Sequence, residues 1–166
     1  MKILRRGLII FFSLISGNLY AEDAALITYK TLTPSSALKA AQAAQASCRK
    51  AGFQVSVAVL DRSGGVLVLL RDQLAGIFTP DIAQRKARTA LSFRVNSSEV
   101  EAATTYDKNI SGIRHVPGAI AVGGGVLVQA AGSVVGAIGI SGAPQSSEDE
   151  KCALAGIGAI QTDIEF

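Results

Sequence analysis

Residues 53–70 read FQVSVAVLDRSGGVLVLL, and the change of pattern within them indicates the class of fold. Valine recurs at every second position (Val55, Val57, Val59), which is the period of a β-strand that buries one face. The segment DRSGG that follows is rich in turn-forming residues, and the apolar run VLVLL comes directly after it. Because a link this short joins antiparallel neighbours, the sequence predicts a β-hairpin.

Helices are predicted before and after this hairpin. Thr33-Pro34 and Thr79-Pro80 each place a capping hydroxyl before a proline, which is a common start of a helix. Acidic residues at 148–150 open the last helix, where negative charge stabilises the N-terminal end. The four predicted helices span residues 34–51, 80–93, 97–106 and 148–162.

Three glycine-interrupted apolar runs after the middle helices predict the rest of the sheet. They span 118–122, 126–130 and 133–140, and the turn Ala131-Gly132 joins the last two. Short links make neighbouring strands antiparallel, and the long connection in the middle is helical. The sequence therefore predicts an α+β fold, a profilin-like or PAS-like five-stranded antiparallel sheet flanked by helices.

The N-terminus has the order of a secretory signal peptide. A basic start precedes the apolar run GLIIFFSLISG, and Ala21 supplies a small residue at the expected cleavage site. The run is shorter than the roughly 20 apolar residues of a spanning helix, and a retained anchor is the alternative. We expect residues 1–21 to be a signal peptide and residues 22–166 a single domain that is periplasmic or secreted and free of the membrane after cleavage.

The charge balance excludes one broad class of partner. Lys2, Arg5 and Arg6 would leave with the signal peptide, and the remaining 13 basic residues would balance the 13 acidic ones. A domain without net charge lacks the basic surface that nucleic-acid binders use, so no nucleic-acid partner is expected.

Two cysteines, Cys48 and Cys152, fall on predicted helical faces that consist of small residues. Such faces allow two helices to approach closely, and a disulfide needs Cα atoms within about 7 Å. Disulfides persist in the compartments that exported proteins reach. We expect a structural disulfide between Cys48 and Cys152, with two separate buried thiols as the alternative.

Common catalytic signatures are absent from the sequence. It contains no GxSxG, GxGxxG, Walker or HExxH motif, and its single histidine cannot build a zinc site with others. A catalyst would have to use carboxylates, lysine, arginine, tyrosine or that histidine. No catalytic residue is assigned, and a binding protein is favoured over an enzyme.

A basic cluster in the middle helix is the first candidate for ligand binding. Arg85, Lys86 and Arg88 lie within one turn, with the two arginines on the same side. They could bind a pair of carboxylates, such as the propionates of a tetrapyrrole. A solvated helix face is the alternative.

The segment after the middle helices supplies two further candidates. His115, the only histidine, lies in a loop, where binding residues are common; a surface histidine without a role is the alternative. Gly123, Gly124 and Gly125 could bring backbone N–H groups close to an anion. Their alternative is a tight turn or bulge between strands.

Four separated strings resemble one family, and they occur in the order that this family shows. They are SVAVLDRSGGVLVLLRD at 56–72, AQRKARTALSF at 83–93, PGAIAVGGGVLV at 117–128 and GAIGISGAPQSSEDEKCALAGIGAI at 136–160. The family is the GlcG/HbpS-like family of haem-degrading and haem-binding proteins. The resemblance implies a profilin-like fold, homo-oligomeric assembly and, for some members, binding of haem or related tetrapyrroles.

The resulting hypothesis is an exported binding protein for haem or a tetrapyrrole-like small molecule. If haem binds, its axial ligand would come from His115, Tyr29 or Tyr106, with His115 as the candidate metal ligand. One alternative is an enzyme that acts on haem or on a small organic acid. Another is an oligomeric accessory or signalling protein that binds an exported protein partner.

Overall fold

The computed structural model of the protein describes residues 25–165, and the predicted signal peptide lies outside them. The strands are β1 Ser56–Asp61, β2 Val66–Arg71, β3 Gly125–Ala130 and β4 Ser133–Ser141, and they pair antiparallel in the order β2-β1-β4-β3. The helices are α1 Pro34–Lys50, α2 Thr79–Phe93, α3 Ser97–Ala103, α4 Ser146–Gly158 and α5 Gln161–Ile164, with a 3-10 helix at Ser111–His115. Within residues 25–165, every helix is too short or too polar to span a bilayer.

The α+β class and the antiparallel pairing are confirmed, but the sheet of the described residues has four strands, and the predicted fifth strand at 118–122 is wrong. The backbone here pairs with helix side chains instead of a neighbouring strand. The Ile120 N–H donates to Thr89 Oγ1 of α2 at 2.9 Å, and the Gly123 N–H, just beyond the segment, donates to Glu101 Oε2 of α3 at 2.7 Å. These acceptors satisfy the backbone without a ladder. The likeness to profilin and PAS domains stays a prediction.

The central strand β1 separates two cores because its side chains alternate between the faces of the sheet. Val57 and Val59 belong to the larger core, which α1 and α4 cover. Ala58 and Leu60 belong to the smaller core, which α2 covers. This alternation is the one that the valine spacing predicted.

Helix α2 lies close to the sheet because its buried side consists largely of alanines. Ala83, Ala87 and Ala90 are fully buried. A Cβ atom added to Gly139 of β4 would lie 2.0 Å from the Ala83 carbonyl oxygen, so only glycine allows this approach. The close fit fixes the helix that carries the predicted basic cluster.

Helices α1 and α4 pack side by side on the opposite face, as predicted. Cys48 and Cys152 form a disulfide with Cα atoms 5.5 Å apart. Small residues permit the approach, since a Cβ atom at Gly156 would lie 2.6 Å from the Ala40 carbonyl oxygen. The disulfide closes a loop across 104 residues, for which the loss of chain entropy in the unfolded state gives about 4–5 kcal/mol of stabilisation.

Candidate functional site

Four adjoining surface depressions follow α2, and each shares lining residues with the next. Two of them, with volumes of about 340 and 250 Å³, share Arg62 and Leu91, and we call this pair the basic groove. The other two, of about 180 and 240 Å³, share Phe93, and we call this pair the apolar groove. Arg88 and Ser92 line a depression of each groove, so the two grooves meet at these residues.

The basic groove takes its name from three arginines on different segments. Arg62 follows β1, Arg88 lies in α2, and Arg94 comes directly after α2. The guanidinium of Arg62 stacks over the ring of Tyr29, 5.0 Å from its centroid. The side chains of Arg88 and Arg94 form no hydrogen bond or ion pair with any residue of 25–165. The remaining lining residues are Ser63, Gly64, Leu91, Ser92, Gly132, Ser133 and Val134.

The apolar groove lies on either side of Phe93, the last residue of α2. One wall is the segment 116–119, and the other consists of α3 and the 3-10 helix. Arg114 ties the 3-10 helix to α3, because it donates to the carbonyl oxygens of Thr104 at 2.6 Å and Glu101 at 3.0 Å. The apolar side chains that line the groove are Phe93, Val95, Val100, Ala103, Ile110, Ile113, Val116, Pro117 and Ala119.

His115 adjoins the apolar groove in the chain and is not one of its lining residues. It is exposed at the end of the 3-10 helix, and the next residue, Val116, lines the groove. Its imidazole has no hydrogen-bond or ion-pair partner within the part of the chain that the structure describes. A neutral imidazole is a common metal ligand, and the exposed side chain of His115 is available for such a bond.

Arg85 supports one wall of the apolar groove and does not line either groove. It donates to the Ala119 carbonyl oxygen at 2.8 Å, and its guanidinium lies 3.9 Å from the Asp81 carboxylate one turn earlier. Within residues 25–165, its buried Nε has no hydrogen-bond partner. Arg85 therefore holds the irregular 118–122 segment against α2.

Lys86 lies behind the groove in a buried ion pair. Its Nζ is 2.8 Å from Asp149 Oδ2 at the start of α4, and both side chains are 3 % exposed. The Asp149 carboxylate also accepts a hydrogen bond from the backbone N–H of Ala143 at 3.0 Å. Burial raises the pKa of Asp149 above its ordinary value, although the charge of Lys86 and these hydrogen bonds oppose the shift. Lys86 is not placed to meet a ligand in the groove.

The three glycines are buried; Gly123 and Gly124 precede β3, and Gly125 is its first residue. The Gly123 and Gly125 N–H groups donate to Glu101 Oε2 at 2.7 Å and Ser97 Oγ at 2.8 Å, so α3 side chains occupy them. Gly124 has a φ of 105°, and a Cβ atom there would lie 2.7 Å from Asp149 Cβ. The glycines thus permit close packing, and side chains of α3 already accept the N–H groups of Gly123 and Gly125.

The structure brings only part of the predicted site together. Arg88 lines both grooves, His115 precedes the lining residue Val116 in the chain, and Arg85 stands behind the wall, whereas Lys86 and the glycines are interior. Sequence reasoning missed Arg62 and Arg94. A signal existed for both, because Arg62 lies in the predicted turn of the hairpin and Arg94 directly follows the predicted end of the middle helix, and side chains at such positions reach the surface.

Together these features define a one-sheet α+β protein with a groove along its central helix. The chain belongs to the family described as haem-degrading protein HbpS-like, which matches residues 32–158. A double mutant of HbpS from Streptomyces reticuli is 38 % identical, with a TM-score of 0.78 over 86 % of this chain and 95 % of that one. A haem complex of PduOC is 25 % identical, with a TM-score of 0.74 over 78 % and 95 %. An uncharacterised 15.0 kDa protein from the dhaT-dhaS intergenic region of Citrobacter freundii is 32 % identical over 68 % of this chain and 80 % of its own.

Proposed function

We propose that this protein is an exported binding protein for haem or a related tetrapyrrole. The ligand would lie in the apolar groove beside α2, with its propionates at Arg88. Membership of the HbpS-like family and the haem complex of the similar PduOC protein support this class of ligand. The observation that carries the proposal is the meeting of an apolar groove and an unpaired guanidinium at Arg88. A tetrapyrrole needs both, because its macrocycle is apolar and its propionates are anionic.

The residues of the groove fit the two chemical parts of such a ligand. Phe93, Val116 and Pro117 offer apolar contacts for a macrocycle. Arg88 offers a planar guanidinium, which binds a carboxylate through two parallel hydrogen bonds. Haem, when bound, supplies an iron centre whose reactivity depends on its axial ligand.

We propose His115 as that axial ligand. Tyr29 lies under Arg62 at the basic groove, and Tyr106 is fully exposed on the surface. The thiols are joined in the disulfide, and the single methionine is Met1. Of the described side chains that commonly ligate haem iron, His115 is the one that is exposed and directly precedes a residue of the apolar groove, Val116.

The experiment is a haem titration of the purified protein, followed at the Soret band. Wild type is expected to give a saturable change, and His115→Ala a different band position. Arg88→Gln should weaken binding roughly tenfold without moving the band, since one charge-assisted hydrogen-bonded pair is lost. Lys50→Gln, which removes an exposed charge at the end of α1 across the sheet, should bind as wild type does. No saturable change would exclude haem, and an unaltered band in His115→Ala would exclude His115 as the ligand.

Haem degradation is a second candidate, because the description of the matching family names it. The same complex is then mixed with a reductant in air. A decay of the Soret band that depends on the protein and is absent from a matched haem solution would indicate degradation. A stable spectrum would contradict degradation and leave haem binding as the proposed function.

We also propose a homo-oligomer, because the groove would leave one side of a planar ligand uncovered. Pockets for small molecules bury most of the surface of their ligand, whereas the two apolar depressions lie open at the protein surface. A second copy of the chain placed over the groove would cover the rest. Light scattering during size-exclusion chromatography tests this, and a monomer both with and without haem would contradict it.

Export to the periplasm or the medium is the last part of the proposal. The signal-like order of residues 1–21 supports it, and so does a disulfide, which persists in oxidising compartments. Mass spectrometry of the protein recovered from each cell fraction is the test. We expect a chain that begins at Glu22 outside the cytoplasm; an uncut chain in the cytoplasm would contradict export.

A further inference from the structure

The basic groove holds positive charge that its lining residues do not neutralise. Arg62 and Arg88 line its larger depression, and Arg62 and Arg94 line the smaller one. No carboxylate lines either depression in the part of the chain that the structure describes. The neighbouring Asp61 carboxylate accepts two backbone N–H groups of its own turn, at 2.7 and 2.9 Å. Three like charges in one groove repel one another, and an anion between them would relieve that repulsion.

The Arg62 side chain is held in place by the ring of Tyr29. Its guanidinium stacks on Tyr29, and the Tyr29 hydroxyl lies 3.4 Å from Ser63 Oγ. Stacking fixes the plane of the guanidinium and leaves its N–H donors at the edge free for an acceptor. Ser63 and Ser133 add hydroxyl groups to the lining.

Arg94 occupies a backbone conformation that favours glycine. Its φ is 57° at the end of α2, the left-handed position that commonly closes a helix. A cation near a helix C-terminus often hydrogen-bonds the last carbonyls, but Arg94 makes no such bond within residues 25–165. A long charged side chain is thus kept at an unfavourable position without a structural partner, which points to a role in binding.

We propose that the basic groove is a binding site for a small dianion, either a dicarboxylate or a phosphate, held between Arg62 and Arg94. Carboxylate and phosphate oxygens both match the paired N–H donors of a guanidinium. Two depressions that share Arg62 favour a ligand with two negative charges over one with a single charge. The proposal shares Arg88 with the proposed function, but it needs neither haem nor the apolar groove.

The test is calorimetric titration of the haem-free protein with malonate in one arm and inorganic phosphate in another. Sodium chloride keeps the ionic strength constant, so that general screening does not differ between points. We expect saturable binding of one or both anions. Arg94→Gly should weaken it roughly tenfold or more, because a charge-assisted contact is lost. The arm with the tighter binding identifies carboxylate or phosphate as the ligand group.

Two controls, the Tm of Arg94→Gly and the variant Lys50→Gln, separate this site from damage to the fold and from a general charge effect. Arg94→Gly suits the left-handed backbone, so its Tm should equal or exceed that of wild type. Lys50→Gln removes one positive charge far from the groove and should bind both anions as wild type does. The proposal fails if neither anion binds saturably, if Arg94→Gly binds as wild type does, or if Lys50→Gln weakens binding equally.

Discussion

The two faces of the sheet are held by different means. On one face, α1 and α4 pack through small residues and are joined by the Cys48–Cys152 disulfide. On the other, α2 rests on the sheet through alanines, and its one buried charge, Lys86, pairs with Asp149. The candidate groove lies along α2. The covalent cross-link therefore lies on the face opposite the basic and apolar grooves. Because the disulfide stabilises the fold there, the grooves can present unpaired arginines on the α2 face.

The largest effect is expected from removing the covalent link. Cys48→Ala with Cys152→Ala should lower the free energy of unfolding by about 4–5 kcal/mol, because the unfolded chain regains the entropy of an open loop. Urea unfolding at neutral pH measures the change, and wild type under reductant should match the double variant. A loss below about 1 kcal/mol would show that close packing alone holds α1 to α4.

Breaking the buried ion pair on the opposite face should cost nearly as much. Lys86→Met leaves the Asp149 carboxylate buried without its counter-charge, and the expected loss is about 3–5 kcal/mol. The double variant Lys86→Met with Asp149→Leu removes both charges and should recover much of that loss. A double variant that is no more stable than Lys86→Met would mean that the hydrogen bond that Asp149 accepts from Ala143, and not the ion pair, holds this region together.

The ion pair also shows how far sequence reasoning could reach. The period-two valines predicted β1 correctly, because a regular strand leaves a regular pattern. Lys86 was grouped with Arg85 and Arg88 by proximity in sequence alone. It lies on the stripe of Ala83, Ala87 and Ala90 at helical spacing, which a helical projection would have placed toward the core. A lysine on a buried stripe predicts a buried carboxylate partner.

The other failures have a different cause. The run 118–122 has the composition of a strand, but its backbone partners are Thr89 and, just beyond it, Glu101, whose positions depend on how α2 and α3 pack. Local composition carries no information on such distant acceptors. Likewise Arg62 and Arg94 line the same depression only because the fold brings the ends of β1 and α2 close together.

A pH titration provides a weaker perturbation of the α2 face. Burial raises the folded-state pKa of Asp149 above the ordinary value of 3.8. A raised pKa means that the folded state binds the proton more tightly, so this contribution to stability is fully present below pH 3.8 and is lost as pH rises through the folded-state pKa. The free energy of unfolding of wild type minus that of Asp149→Asn should therefore fall as pH rises. If this difference in the free energy of unfolding instead grows as pH rises above 3.8, the charge of Lys86 outweighs burial in setting the pKa of Asp149.

The smallest expected effect concerns the two residues other than glycine with a positive φ in the described chain, Arg94 and Ala131. Arg94→Gly and Ala131→Gly should each raise the free energy of unfolding by about 1 kcal/mol, because glycine adopts the left-handed region without a Cβ clash. Ala131 lies in the β3–β4 turn and carries no charge, so it reports the backbone effect alone. If Arg94→Gly destabilises the fold while Ala131→Gly stabilises it, the Arg94 side chain has a structural role, and its value as a sign of binding disappears. If both stabilise it and only Arg94→Gly loses anion binding, the arginine is retained at a cost in stability, which is the expected mark of a functional residue.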